Sequence, residues 1–190
     1  MKMRYFTFSL IKKANGWVRQ TRKEEEKWEK LFWETVGKYR EALEELKPRL
    51  SKKVWEFFYY GYGPTGLHDA SLLKFTIGDG VFYEAGGKAP LFKNYRKVNV
   101  LIEMLNYEQD LHYVFDLRKP VKISCNIDSV DMQGIGDLYT YELFAVDDKY
   151  LQLGFLFVSG AIIIVQFQKL VFTRSKIKRS YEVGDMYNLR

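Results

Sequence analysis

Residues 154–165, GFLFVSGAIIIV, form the most apolar stretch of the chain and decide how it folds. A helix that spans a membrane needs about 20 apolar residues. This stretch is shorter and is interrupted by Ser159 and Gly160. The β-branched run 162–165 disfavours a helix and favours a strand. We therefore predict a β-hairpin in a water-soluble protein without a membrane segment.

The length of the hairpin loop follows from which residues must face each other. A two-residue loop at Ser159 and Gly160 places apolar Leu153 opposite polar Gln166. A three-residue loop, 158–160, pairs apolar with apolar residues and puts Gly160 where such loops need a left-handed backbone. A slip of one residue would turn every side chain to the other face. The predicted pairs are Phe157 with Ala161, Phe155 with Ile163, Leu153 with Val165, and Leu151 with Phe167.

The opposite face of this hairpin is apolar only near its turn, where Leu156, Ile162 and Ile164 lie. We expect either the aromatic stripe of the N-terminal helices or a partner protein to cover it.

Residues 1–62 read as mainly helical. Apolar residues recur every three or four positions, which predicts an amphipathic helix. Thr21 and Glu24 have the spacing of a capping box, and Ser51 can cap a second helix. Gly37 lies inside the first helix at a cost of about 1 kcal/mol relative to alanine, so we expect a close packing contact there. The stripe consists of Trp28, Leu31, Phe32, Val36, Tyr39, Leu43 and Leu46.

Residues 67–173 read as an antiparallel β part, because the period changes to two after the glycine-rich joint 61–70. SLLKFTI, GDG and VFYEA predict a hairpin. The further predicted strands are VNVLIEM, LHYVFDL, PVKISCNI, DLYTYELFAV, YLQLGFLFV and AIIIVQFQKLVF. With a basic tail at 174–190, the chain is predicted to be one α+β domain, 1–190, in which N-terminal amphipathic helices pack on an antiparallel sheet.

Composition favours a folded, cytoplasmic protein. Hydrophobic residues make up 47% of the chain and the net charge is +6. Cys125 is the only cysteine, so no disulfide forms within the chain, and we expect this residue to be a small core residue. The apolar patch at residues 5–11 lacks the features of a signal peptide.

The tetrad LHDA, 67–70, is the most suggestive motif for chemistry. His68 beside Asp69 has the residue types of an acid–base pair. Neighbours in a strand point to opposite faces, so such a pair would need a turn here. The alternative, which we favour, is a junction in which His68 or Asp69 bonds to backbone amides. Ser71 follows, but no catalytic triad can be assigned.

Neither a metal nor a cofactor is predicted. Two histidines and one cysteine supply too few ligands for a zinc site. The glycine-rich GYGPTG, residues 61–66, lacks the G-K-[ST] ending of a phosphate loop and does not follow a strand.

The second predicted helix carries more aromatic rings than one helix face can bury. Core packing is the first interpretation of this surplus, and a protein-binding surface is the second, because Tyr and Trp are favoured at interfaces. The candidate binding residues are His68, Asp69, Trp55, Tyr59, Tyr60 and Tyr62.

Two basic clusters give an alternative, nucleic-acid binding. One comprises residues 12–23 and includes Trp17; the other is RSKIKR, 174–179. Such residues can bind phosphates, but solvated surface charge is the interpretation we favour.

The start RYFTFSL, the tetrad LHDA, Glu142 and the closing segment 139–172 together resemble several uncharacterised bacterial families of unknown function. Some small α+β families of similar layout act as immunity proteins, which bind and block a toxin. The resemblance implies no catalytic residues.

Our first hypothesis is therefore that the chain is a non-enzymatic bacterial protein that binds another protein. In the narrower version of this hypothesis, the bound protein is a toxin that the chain neutralises. A nucleic-acid-binding protein and an enzyme that uses His68 and Asp69 are the alternatives. Self-association of the chain is left open.

Overall fold

A computed structural model describes residues 1–61, 66–80, 97–127 and 136–177 and confirms the α+β fold. The helices are α1 (Phe8–Ala14), α2 (Arg22–Leu46) and α3 (Lys52–Tyr59), with a 3₁₀ turn at Lys47–Arg49. The strands are β1 (Ser71–Gly80), β2 (Lys97–Leu105), β3 (Leu111–Arg118), β4 (Lys122–Asn126), β5 (Leu138–Ala145), β6 (Leu151–Phe157), β7 (Ile162–Phe167) and β8 (Lys169–Lys176).

The described strands form two antiparallel sheets, ordered β1-β2-β3-β8 and β4-β7-β6-β5. One bent ribbon joins the sheets, because β3 continues into β4 and β7 continues into β8. Hydrogen bonds follow this bend: the Gln168 N–H donates to the Arg118 carbonyl (3.2 Å), and the Val121 N–H donates to that of Gln166 (2.8 Å). Bends of this kind make the corners where strands switch between packed sheets.

The prediction of one strand over AIIIVQFQKLVF is wrong, because the chain bends at Gln168 and divides this segment between the two sheets. Buried side chains recur on both sides of the bend, at Val165, Phe167 and Phe172. The alternating pattern alone therefore gives no sign of it.

The predicted turn at GDG is also wrong. Residues 78–80 belong to β1, which pairs with β2 from Ser71↔Leu105 to Gly80↔Lys97. Three small or polar residues thus continue a strand, because the ladder to β2 outweighs their low strand propensity. VFYEA, residues 81–85, lies outside the described residues.

The central hairpin has the predicted register. β6 pairs with β7 from Leu151↔Phe167 to Leu156↔Ile162. The Phe157 N–H donates to the Ala161 carbonyl (2.9 Å) across the three-residue loop, and Gly160 has φ +88°. All seven residues of β6 are buried, so both of its faces are covered.

One face of this hairpin packs against the second sheet, where the rings of Phe155 and Phe115 lie 5.5 Å apart. The other face is covered by the N-terminal strap (residues 2–6) and by α1. A Cβ on Gly154 would lie 2.5 Å from Met3 Sδ, and Phe8 packs against Gly160. The N-terminal strap and α1 therefore cover this face of the hairpin, and the buried stripe of α2 packs above the strap.

A buried carboxylate holds the strap in place. Glu142 on β5 is fully buried and accepts hydrogen bonds from three successive backbone N–H groups, those of Arg4, Tyr5 (2.8 Å) and Phe6 (3.1 Å). Burial raises the pKa of Glu142, and the three N–H groups and the charge of Arg4 oppose the rise. A buried charge is tolerated only when its oxygens are satisfied in this way.

Helices α2 and α3 pack against the sheets through aromatic side chains. The hydroxyl of Tyr39 on α2 accepts a hydrogen bond from the Leu143 N–H (3.0 Å) of strand β5. Phe57 on α3 lies between the sheets, 4.4 Å from the ring of Phe172 and 5.6 Å from that of Tyr141. Much of the aromatic surplus is therefore core.

The predicted capping residues are confirmed. The Glu24 carboxylate accepts a hydrogen bond from the Thr21 N–H (2.8 Å), and this bond lowers the pKa of Glu24. Ser51 Oγ accepts a hydrogen bond from the Val54 N–H (3.4 Å). The expected close contact at Gly37 is wrong, because this residue is exposed and a Cβ there would meet nothing within 4 Å.

Gly37→Ala should raise the free energy of unfolding by about 1 kcal/mol, because alanine is the better helix former and space is open. Denaturant unfolding at low protein concentration measures this. Gly160→Ala is the control: it should destabilise, since φ is +88° and the new Cβ would lie 3.1 Å from the Phe8 ring. A loss of stability in Gly37→Ala would contradict the open environment.

Glu142→Gln should remove a pH dependence of stability. Because the folded-state pKa of Glu142 is raised, the folded chain binds more protons than the unfolded chain, and stability falls as pH rises from about 4.5 through that pKa. The slope is at most about 1.4 kcal/mol per pH unit. Unfolding of both proteins across this range measures the difference, and equal slopes would refute the assignment.

Candidate functional site

The LHDA tetrad forms a turn that joins the two sheets at their other end. The Ala70 N–H donates to the Leu67 carbonyl (3.0 Å). The Asp69 N–H donates to the Leu138 carbonyl (2.9 Å), and the Leu138 N–H donates to that of Ala70 (2.7 Å). Leu67 and Ala70 are fully buried, whereas His68 points outward. The tetrad therefore links the start of β1 to the start of β5.

The side chains of His68 and Asp69 contact each other on this turn. Nδ1 of His68 lies 2.8 Å from Oδ2 of Asp69, and the two side chains are 55% and 45% exposed. The turn that the acid–base hypothesis required is present, and Asp69 has φ +59°. Ser71 does not extend the pair, since its Oγ donates to Oδ1 of Asp137 (3.4 Å).

Two aromatic rings complete the surroundings of His68. Tyr139 lies 5.5 Å from the His68 ring and 4.8 Å from the ring of Trp17. Burial raises the pKa of the Tyr139 hydroxyl, a hydrogen bond with Asn15 opposes the rise, and Asp69 adds to it. Tyr139 was missed in the sequence because only the fold brings it to His68.

Three of the four aromatic candidates form one cluster, the aromatic patch (Trp55, Tyr59 and Tyr60), in which Trp55 is buried, Tyr59 is half-buried and Tyr60 is exposed. Trp55 and Tyr59 stack at 4.5 Å, and Tyr60 lies 5.1 Å from Tyr59 and is 65% exposed. The indole of Trp55 donates to the Leu43 carbonyl (3.0 Å), which fixes it to α2. Tyr62, the fourth candidate, lies outside the described residues.

Cations border the aromatic patch. Nζ of Lys47 lies 4.1 Å from the centre of the Trp55 ring, and the guanidinium of Arg40 lies 6.0 Å from that of Tyr59. These distances fall within the range of cation–π interactions. The patch therefore presents rings and positive charge together.

A pocket of about 10 Å³ touches His68, with room for about one water molecule. It is lined by Tyr39, Phe58, Gly61, His68, Tyr139, Thr140 and Tyr141. A broader recess, between the β2–β3 turn and the end of β8, is lined by Arg174 and Lys176 of the second basic cluster and by none of the six candidate binding residues. Among the described residues, the pocket that touches His68 is thus too small for a substrate larger than water.

The basic residues of the N-terminal cluster are partly engaged. Lys12 lies over the ring of Phe8 (4.3 Å), Lys13 lies over that of Trp28 (4.2 Å), and Arg22 pairs with a carboxylate on α2. Of the second cluster, residues 178 and 179 lie outside the described part of the chain.

Cys125 is exposed on the edge strand β4, so its prediction as a core residue is wrong. Partial burial raises the pKa of its thiol. Within the described ranges, no group of three or more His, Cys, Asp or Glu side chains is placed to hold a metal ion. No helix of the described chain is long and apolar enough to cross a membrane.

Comparison with family models, with curated proteins and with solved structures finds no match for this chain.

Asp69→Ala should lower the free energy of unfolding by about 1–2 kcal/mol, because alanine resists the left-handed conformation. Asp69→Gly should cost less, since glycine adopts this φ freely. The exposed pair with His68 contributes little by itself. Denaturant unfolding of both variants tests the order, and an alanine variant as stable as the glycine variant would contradict it.

Proposed function

We propose that this chain is a cytoplasmic protein-binding module and that the aromatic patch is its binding surface. The observation that carries the proposal is that Tyr60, which is 65% exposed, and the half-buried Tyr59 pack beside Trp55, which is itself buried. The neighbouring Phe57 and Phe58 on α3 are buried in the core. Rings held on a rigid element lose little entropy on binding, which is why Tyr and Trp dominate binding energies.

The charge beside the patch supports an acidic partner surface. Lys47 and Arg40 lie against its rings, and the chain carries a net charge of +6. Carboxylates of a partner can pair with these cations while its apolar side chains cover the rings. Complementary charge of this kind speeds association and orients the complex.

The finer proposal is that the partner is a toxin that this chain neutralises. Its support is the layout that resembles immunity proteins, together with the small described pocket at His68, which has room for about one water molecule. Such a role requires a complex that survives purification.

An enzyme that uses His68 and Asp69 is the second candidate. The observation in its favour is their 2.8 Å contact on an exposed turn. Against it stands the orientation of Ser71 toward Asp137, which leaves the pair without that nucleophile. The aromatic patch has the stronger support.

Tyr60→Ala should abolish retention of a partner that the wild-type chain retains from a nuclease-treated lysate of its host. Tyr107→Ala is the matched control, because Tyr107 is 74% exposed and lies on the distant β2–β3 turn. Mass spectrometry of the bound proteins, with and without added salt, measures the effect. Equal retention by Tyr60→Ala, or loss of all binding after nuclease treatment, would overturn the proposal, and the second result would favour nucleic-acid binding.

A further inference from the structure

Helix α2 carries a second, exposed stripe beside its buried one. Its members recur at spacings of four and three, and all are exposed. This outer stripe consists of Glu26, Lys30, Trp33, Gly37, Arg40, Glu44 and, directly after the helix, Lys47. The same spacing brings residues of one helix against another helix when two helices pack. The outer stripe therefore has the geometry of a helix-packing surface.

Gly37 lies at the centre of the outer stripe in open space. A helix-interior glycine costs about 1 kcal/mol relative to alanine, and no described part of the chain packs against it. One turn earlier, Trp33 is 61% exposed, a large apolar side chain facing solvent. A glycine beside a tryptophan allows the backbone of another helix to approach closely and to cover the ring.

The outer stripe is complementary to itself when it is read outward from Gly37. Trp33 on one side corresponds to Arg40 on the other, an aromatic ring and a cation. One step further, Lys30 corresponds to Glu44, and at the ends Glu26 corresponds to Lys47. Two antiparallel copies related by a two-fold axis at Gly37 would bring each member against its complement.

We propose that α2 pairs with α2 of a second copy of this chain, antiparallel, with Gly37 at the crossing point. The occupant is a second copy, because the charge order of the stripe fits the reversed order of the same stripe. Such an interface is isologous, so every contact occurs twice. It shares Arg40 and Lys47 with the border of the aromatic patch, but it depends on Lys30, Trp33, Gly37 and Glu44, which lie outside that patch.

The experiment is a charge exchange followed by light scattering and size-exclusion chromatography of the full chain. Wild type should have twice the 22.5 kDa mass of one chain. Lys30→Glu alone places a carboxylate against the carboxylate of Glu44, and Glu44→Lys alone places two ammonium groups together, so each variant should revert to the mass of one chain. When the two variants are mixed, the Lys30→Glu copy carries carboxylates at positions 30 and 44 and the Glu44→Lys copy carries ammonium groups at both. Each of the two contacts then joins opposite charges, so the mixture should return to the doubled mass.

The double variant Lys30→Glu with Glu44→Lys restores both contacts with their charges reversed. Each copy then presents a carboxylate to an ammonium group of the other copy, so the doubled mass should return. This rescue separates a paired interface from a simple loss of stability in the single variants. A double variant that stays single while its circular dichroism matches wild type would overturn the proposal.

Variants one position away from the stripe provide controls. Glu45→Lys and Lys38→Glu change the same charges at exposed positions of α2 outside the stripe and should keep the doubled mass. Gly37→Leu should give single chains with unchanged circular dichroism, because space within the chain is open. A wild type with the mass of one chain at millimolar concentration, or single variants that stay doubled, would each overturn the proposal.

Discussion

The buried carboxylate of Glu142 is the interaction on which the arrangement of the N-terminal half depends. Three successive N–H groups of residues 4–6 donate to it, so removal of the strap would leave its buried oxygens without these donors. The strap in turn fills the space above Gly154 and carries Phe6, against which Tyr39 packs at 5.2 Å. Helix α2 is therefore positioned on the sheet through a segment that has little secondary structure of its own.

Sequence pattern predicted local geometry where alternation and loop chemistry agree. The register of the central hairpin followed from matching apolar pairs and from Gly160, and both are confirmed. The capping residues followed from spacing of a few positions. The predictions failed where residues far away in sequence determine the local structure. The chain bends at Gln168, where its N–H bonds to Arg118 at the corner between the sheets. Residues 78–80 stay extended because they pair with β2.

The candidate site shows the same division between local and distant causes. Trp55, Tyr59 and Tyr60 share one helix end, so their association follows from sequence proximity, and the structure stacks them. Tyr139 contacts His68 from strand β5, about 70 residues further along the chain. The alternating pattern of that strand does not indicate this contact. Cys125 became exposed because β4 is an edge strand, a property that strand order alone determines.

The left-handed backbone of Asp69 is a cost that the fold itself explains. Strained residues often mark functional sites, and the adjacent His68 makes that interpretation attractive. Yet in this turn the Asp69 N–H donates a hydrogen bond to the Leu138 carbonyl, and the Ala70 carbonyl accepts one from the Leu138 N–H. These two bonds join the sheets at the end opposite the bent ribbon. Two buried hydrogen bonds of about 1 kcal/mol each offset a strain of similar size. Since closure of the sheets accounts for the strain, the conformation of Asp69 adds no weight to catalysis.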